Sequence, residues 1–77
     1  KLMKSNVFLG LLKSKGKNVD WLSDRMIEEG EQVSRSTIYK KLRGESEFTA
    51  PEIKTISKVM ELSNDVMLDI FFEELVS

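Results

Sequence analysis

Residues 16–44 read GKNVDWLSDRMIEEGEQVSRSTIYKKLRG, and this stretch decides the fold. Gly16 supplies a stop for whatever helix precedes it, and Asn18 is a favoured N-cap for the next, with Asp20 in its first turn. Val19, Leu22 and Met26 follow at helical spacing, with Ile27 flanking them and the small Ser23 allowing a neighbouring helix to approach. This helix is expected to end near Glu29, because Gly30 follows and Glu31-Gln32 are polar. Ser34 then caps a second, shorter helix, in which Ile38 and Leu42 form an i, i+4 apolar seam. Gly44, directly after Arg43, closes it. The outer face of this short helix reads Arg35, Ser36, Tyr39, Lys40, Arg43.

Working outward, the N-terminal side predicts a helix from Met3 or Lys4 to Lys15, buried along Val7, Phe8, Leu11 and Leu12. Lys13 and Lys15 suit its negative end. On the C-terminal side, Thr49-Ala50-Pro51-Glu52 is a helix start: a capping threonine, proline in the first turn, glutamate three residues on. That helix runs to about Glu61 with Ile53, Ile56, Val59 and Met60 inward, and Phe48 is placed to staple onto Ile53. Ser63 caps a fifth helix whose apolar positions are Val66, Met67, Ile70, Phe71, Leu75 and Val76. No strand alternation and no repeat interrupts this pattern. The fold expected is all-α, five helices in one domain over residues 1–77, with a helix-turn-helix unit at about 18–43.

A 77-residue chain buries a small core, so a partner subunit is a natural source of further stability. The longest apolar stretch, Val7-Phe8-Leu9-Gly10-Leu11-Leu12, is too short to span a bilayer. No apolar run ends in a small-residue cleavage pattern. Met3 is expected as the natural start, with Lys1-Leu2 a cloning remnant, and the expected location is the cytoplasm. With no cysteine there is neither a disulfide framework nor a thiolate metal site. Histidine is absent too, as is any glycine-rich phosphate loop, so no catalytic residue and no cofactor is expected. Glu28, Glu29 and Glu31 fall short of an oxygen-rich calcium loop, and no metal site is assigned.

The net charge of −1 conceals alternating blocks. Residues 1–18 carry five lysines and no acid, and residues 34–44 carry Arg35, Lys40, Lys41 and Arg43 without an acid. Between them Asp20, Asp24, Glu28, Glu29 and Glu31 face Arg25 alone, and residues 45–77 hold eight acids against Lys54 and Lys58. Such a chain has a basic face and an acidic one. In helix-turn-helix proteins the second helix of the pair enters the DNA major groove while the first crosses the backbone. That task needs a short, capped helix with groups for base edges, and flanking cations for phosphates.

The run Val33-Ser34-Arg35-Ser36-Thr37-Ile38-Tyr39-Lys40-Lys41-Leu42-Arg43-Gly44 resembles the recognition segment of the phage repressor/Cro family. Glu47-Phe48-Thr49-Ala50-Pro51-Glu52-Ile53 and Asp69-Ile70-Phe71-Phe72 are similar to segments of its small phage-encoded members, so the likeness spans about residues 7–72. The resemblance implies a five-helix, lambda-repressor-like domain and a phage or prophage transcriptional regulator that binds double-stranded operator DNA as a dimer. Arg35, Ser36, Tyr39 and Lys40 are then expected to face bases. Ser34, Lys41 and Arg43 would hold the backbone, assisted by Lys15 or Lys17. Some four to six phosphate contacts give a log–log salt slope of about −4 to −5. Trp21 and the scattered methionines read as packing residues.

Two departures from the family pattern stand out. A glutamine often found at the start of the first helix of the pair is replaced by Val19, and the turn around Glu28-Glu29-Gly30 is longer than usual and acidic. They keep open an alternative: a protein-interaction module of the same fold that binds a phage repressor and modulates its DNA binding. In either case Leu68, Phe72 and Leu75, recurring on a second face of the fifth helix, are the expected dimer or partner surface. No membrane and no small-molecule substrate is expected.

Overall fold

The computed structural model describes residues 3–72. Their helices are α1 (Ser5–Ser14), α2 (Val19–Glu28), α3 (Arg35–Leu42), α4 (Ala50–Met60) and α5 (Asn64–Phe71), with no strand among the described residues. Most boundaries follow from local chemistry. The side chains of Asn18, Ser34, Thr49 and Ser63 accept the backbone N–H of Trp21, Thr37, Glu52 and Val66 respectively, so four helix starts are capped as the sequence predicts. At α4 the Glu52 carboxylate also accepts the Thr49 N–H at 2.9 Å, completing a capping box.

The first four helices end by the same device. A residue in the left-handed conformation follows each, and two backbone N–H groups turn back onto the last carbonyls. After α3, for instance, Gly44 N–H donates to Lys41 (3.1 Å) and Glu45 N–H to Lys40 (3.0 Å). Three of the left-handed residues are glycines, and the fourth is Glu61 (φ 56°). Its Cβ makes that conformation unfavourable, whereas glycine adopts it freely. Glu61→Gly is therefore expected to stabilise the domain by about 0.5–1 kcal/mol in urea denaturation, and a destabilised variant would contradict this reading.

The core is formed by Phe8 and Leu12 of α1, Val19, Leu22 and Met26 of α2, Val33 before α3, Ile38 and Leu42 of α3, and Phe48 before α4. Ile53, Ile56 and Met60 of α4 and Ile70 and Phe71 of α5 complete it. α2 packs against both α3 and α4, and α5 closes the other end against α1 and α4. The radius of gyration is 11.4 Å, close to the ~11 Å of a compact chain of this length. The buried Ser23 hydroxyl donates to the Val33 carbonyl at 2.7 Å. Its small size admits more than a neighbouring helix: the bond ties α2 to the segment that leads into α3.

Several expected core positions lie at the rim instead. Val7 (47% exposed) and Val66 (38%) face solvent, as does Ile27 (42%), which was expected only to flank the core. Each flanks a buried stripe, and a core this small covers only the centre of each stripe. Val59, Leu11 and Met67 are half-buried against the core. Leu75 and Val76, read as part of the fifth helix, lie outside the described residues.

Candidate nucleic-acid interface

On an eight-residue helix at 100° per residue, positions 35, 36, 39, 40 and 43 fall on one arc and 38 and 42 on the other. The structure follows that division. Ile38 and Leu42 are buried, while Arg35, Ser36, Tyr39, Lys40 and Arg43 are all exposed. Ser34 at the cap is exposed as well; besides accepting the Thr37 N–H, it donates to the Thr37 hydroxyl at 3.0 Å and lies 3.2 Å from the Ser36 hydroxyl.

The four cations on or beside α3 differ sharply in their surroundings. Arg35 Nε meets Asp20 Oδ1 at 3.1 Å, and its guanidinium lies 5.7 Å from the centre of the Tyr39 ring, one turn on. Arg43 Nε meets Glu45 Oε2 at 2.6 Å. That hydrogen bond holds the Glu45 carboxyl below the usual glutamate value, and the charges of Arg43 and Lys40 add to the effect. Lys40 is exposed and makes no ion pair among the described residues.

Lys41 is the exception to the expected roles. Its ammonium meets Glu52 Oε1 at 2.6 Å and lies 5.5 Å from the centre of the Phe48 ring, and both charged side chains are only 11% exposed. Position 41 sits on the inner flank of α3, so its charge is neutralised inside the protein and is not displayed for a phosphate. The sequence signal was available: 41 is three residues from Ile38 and one before Leu42, on the buried arc.

The first turn of α2 gathers the remaining basic residues. Lys17 Nζ lies 5.1 Å from the centre of the Trp21 ring, while the adjacent Asp20 holds Arg35. Lys17 and Arg35 are thereby brought to the same end of α2, and Lys15 is exposed two residues before Lys17. Trp21 is half-buried, joining the core edge on one side and the lysine on the other. The acidic turn lies at the far end of α2: Glu29 bonds Lys58 of α4 at 2.7 Å and Arg25 at 3.5 Å. The Lys58 hydrogen bond is the main cause of a lowered Glu29 pKa. Glu28 is spent on Arg25 at 2.7 Å.

On α5, Leu68 and Phe72 are both half-buried, and Phe72 packs against the core just beyond the end of the helix. The second apolar face expected of a longer helix is thus reduced among the described residues, because one of its members is already covered. Its third member, Leu75, lies outside them. No helix among the described residues is long and apolar enough to cross a membrane. Compared with known protein families, curated proteins and solved structures, the chain has no significant match.

Proposed function

We propose that the chain is a helix-turn-helix domain of the phage repressor/Cro kind and acts as a sequence-specific DNA-binding transcriptional regulator. The observation that carries this reading is the outer face of α3. A short capped helix, packed through Ile38 and Leu42, turns two cations, a tyrosine and a serine outward over two turns, with Arg43 beyond them. Arg35, Ser36, Tyr39 and Lys40 are assigned to base edges. Arg43, Ser34, Lys15 and Lys17 are assigned to phosphates, which position the helix without reading sequence. No catalysis and no cofactor enters this proposal.

With Lys41 turned inward, three cations remain for phosphates, so the log–log salt slope is expected to be about −2.7. Affinity then falls roughly 40-fold between 50 and 200 mM salt. A gel-shift titration on the flanking genomic DNA, with and without the neighbouring regulator, tests the proposal. Arg35→Ala should relax sequence preference, and Arg43→Ala should weaken binding to all sequences alike. A folded protein that binds no duplex at low salt overturns it.

One observation favours a second reading. Three of the four cations in residues 34–44 are already paired with the chain's own acids: Arg35 with Asp20, Lys41 with Glu52, Arg43 with Glu45. A module that binds another phage regulator rather than DNA has no need of free cations there. Co-sedimentation with that regulator in the absence of DNA distinguishes the two. Homodimerisation through Leu68, Phe72 and Leu75 remains part of the first proposal, and sedimentation equilibrium of the free protein reads it.

A further inference from the structure

We infer that Asp20 is a specificity-determining residue: it pairs with Arg35 from the Nε side, so that the terminal nitrogens of the guanidinium are the ones offered to a base. This inference rests on the DNA-binding reading above. The guanidinium carries five N–H donors in a planar fork, and it can present either its Nε side or its two terminal nitrogens to a pair of acceptors. In the structure Asp20 Oδ1 stands 3.1 Å from Nε, an ion pair on that side of the group rather than an aligned hydrogen bond. Tyr39 lies beside the group, 5.7 Å from its centre. Two contacts from two helices thus restrict a side chain that is otherwise 63% exposed. The terminal nitrogens remain for an end-on, two-bond contact, and in the major groove the matching pair of acceptors is guanine N7 and O6.

The same carboxylate acts against indiscriminate binding. Asp20 is 60% exposed at the start of α2, the end of the helix where Lys17 lies over the Trp21 ring. An acid there repels phosphate and competes with it for Arg35, so a duplex without the correct guanine gains little from this arginine. An exposed pair of this kind contributes little to stability. Its removal leaves the fold standing, and the consequence appears in recognition.

The test is selection from a randomised duplex library by wild type, Asp20→Asn and Asp24→Asn in parallel, followed by titration of the enriched and unselected pools. Asp24 is exposed one turn along α2 and is not the carboxylate that meets Arg35, so it controls for loss of one negative charge. Wild type should enrich a motif with a required guanine that Arg35→Ala no longer selects. Asp20→Asn should bind the unselected pool more tightly, while its preference for that guanine falls roughly five- to tenfold. Asp24→Asn should retain the preference. Equal tightening by Asp20→Asn on both pools overturns the inference, since Arg35 would then be a phosphate contact that Asp20 merely competes for. Equal relaxation by Asp24→Asn overturns it as well, assigning the effect to charge alone. No enrichment by folded wild type removes both the inference and the DNA-binding reading, whereas enrichment unaffected by Asp20→Asn removes the inference only.

Discussion

Phe71→Ala is expected to lower the unfolding free energy by about 3–5 kcal/mol. At ~0.05–0.15 kcal/mol per residue, a domain of this size holds about 4–12 kcal/mol in all, so the variant should lie near its unfolding threshold at 37 °C. Phe71 closes α5 and meets Phe8 of α1 and Phe48 before α4, each edge to face with ring centres 5.9 Å apart. Truncation removes two aromatic contacts, each worth ~0.5–1.5 kcal/mol beyond the buried area, and leaves a void between three segments distant in sequence. Phe71→Leu keeps most of the volume and should cost less than half as much. Urea denaturation followed by circular dichroism measures both. A loss under about 1.5 kcal/mol for Phe71→Ala would mean that α5 contributes little to the cooperative unit.

The helix starts were legible because caps are local. Asn18, Ser34, Thr49 and Ser63 each act within three residues of their own position, so no tertiary knowledge is needed to place them. The aromatic cluster was legible only as composition. Phe8, Phe48 and Phe71 are individually apolar residues at inward spacing, but their meeting depends on how α1 and α5 cross, which no local pattern states. Val7 and Val66 were misjudged for the opposite reason. Periodicity marks the direction of a stripe but not its width, and the width is set by the size of the core beneath it.

The same division runs through the candidate interface. The outward set on α3 followed from angular spacing alone, and all five of its members are exposed. The pairings of its cations did not. Arg35–Asp20 spans the α2–α3 turn and Lys41–Glu52 reaches into the α4 cap, so both are products of packing. Glu52 was recognised from its capping spacing, yet nothing in that role announces that the same carboxylate also serves a lysine eleven residues earlier.

Glu52→Ala is expected to cost about 3 kcal/mol, far more than a cap alone. Oε1 of Glu52 receives both the Thr49 N–H at 2.9 Å and the Lys41 ammonium at 2.6 Å. Loss of the cap accounts for about 1 kcal/mol. The remainder comes from Lys41, left without its partner in a site where both side chains are only 11% exposed. Stranding a fully buried charge costs ~3–5 kcal/mol, and the residual exposure here reduces that to about 2 kcal/mol. Lys41→Met should cost less, because the remaining carboxylate keeps its bond to Thr49, and Lys41→Met with Glu52→Gln should recover most of the stability. A double-mutant cycle in urea isolates the coupling, and values that simply add would show that the pair is not enclosed. The pair also bears on recognition, since Lys41 is the one cation of α3 turned away from the outer face. Lys41→Met should leave DNA affinity within about twofold, whereas Arg43→Met should weaken it and lower the salt slope by nearly one. Equal losses from the two substitutions would mean that Lys41 leaves Glu52 on binding. In that case part of the stability of the α4 cap would be given up in the complex, and tight binding would require a start of α4 different from the one seen here.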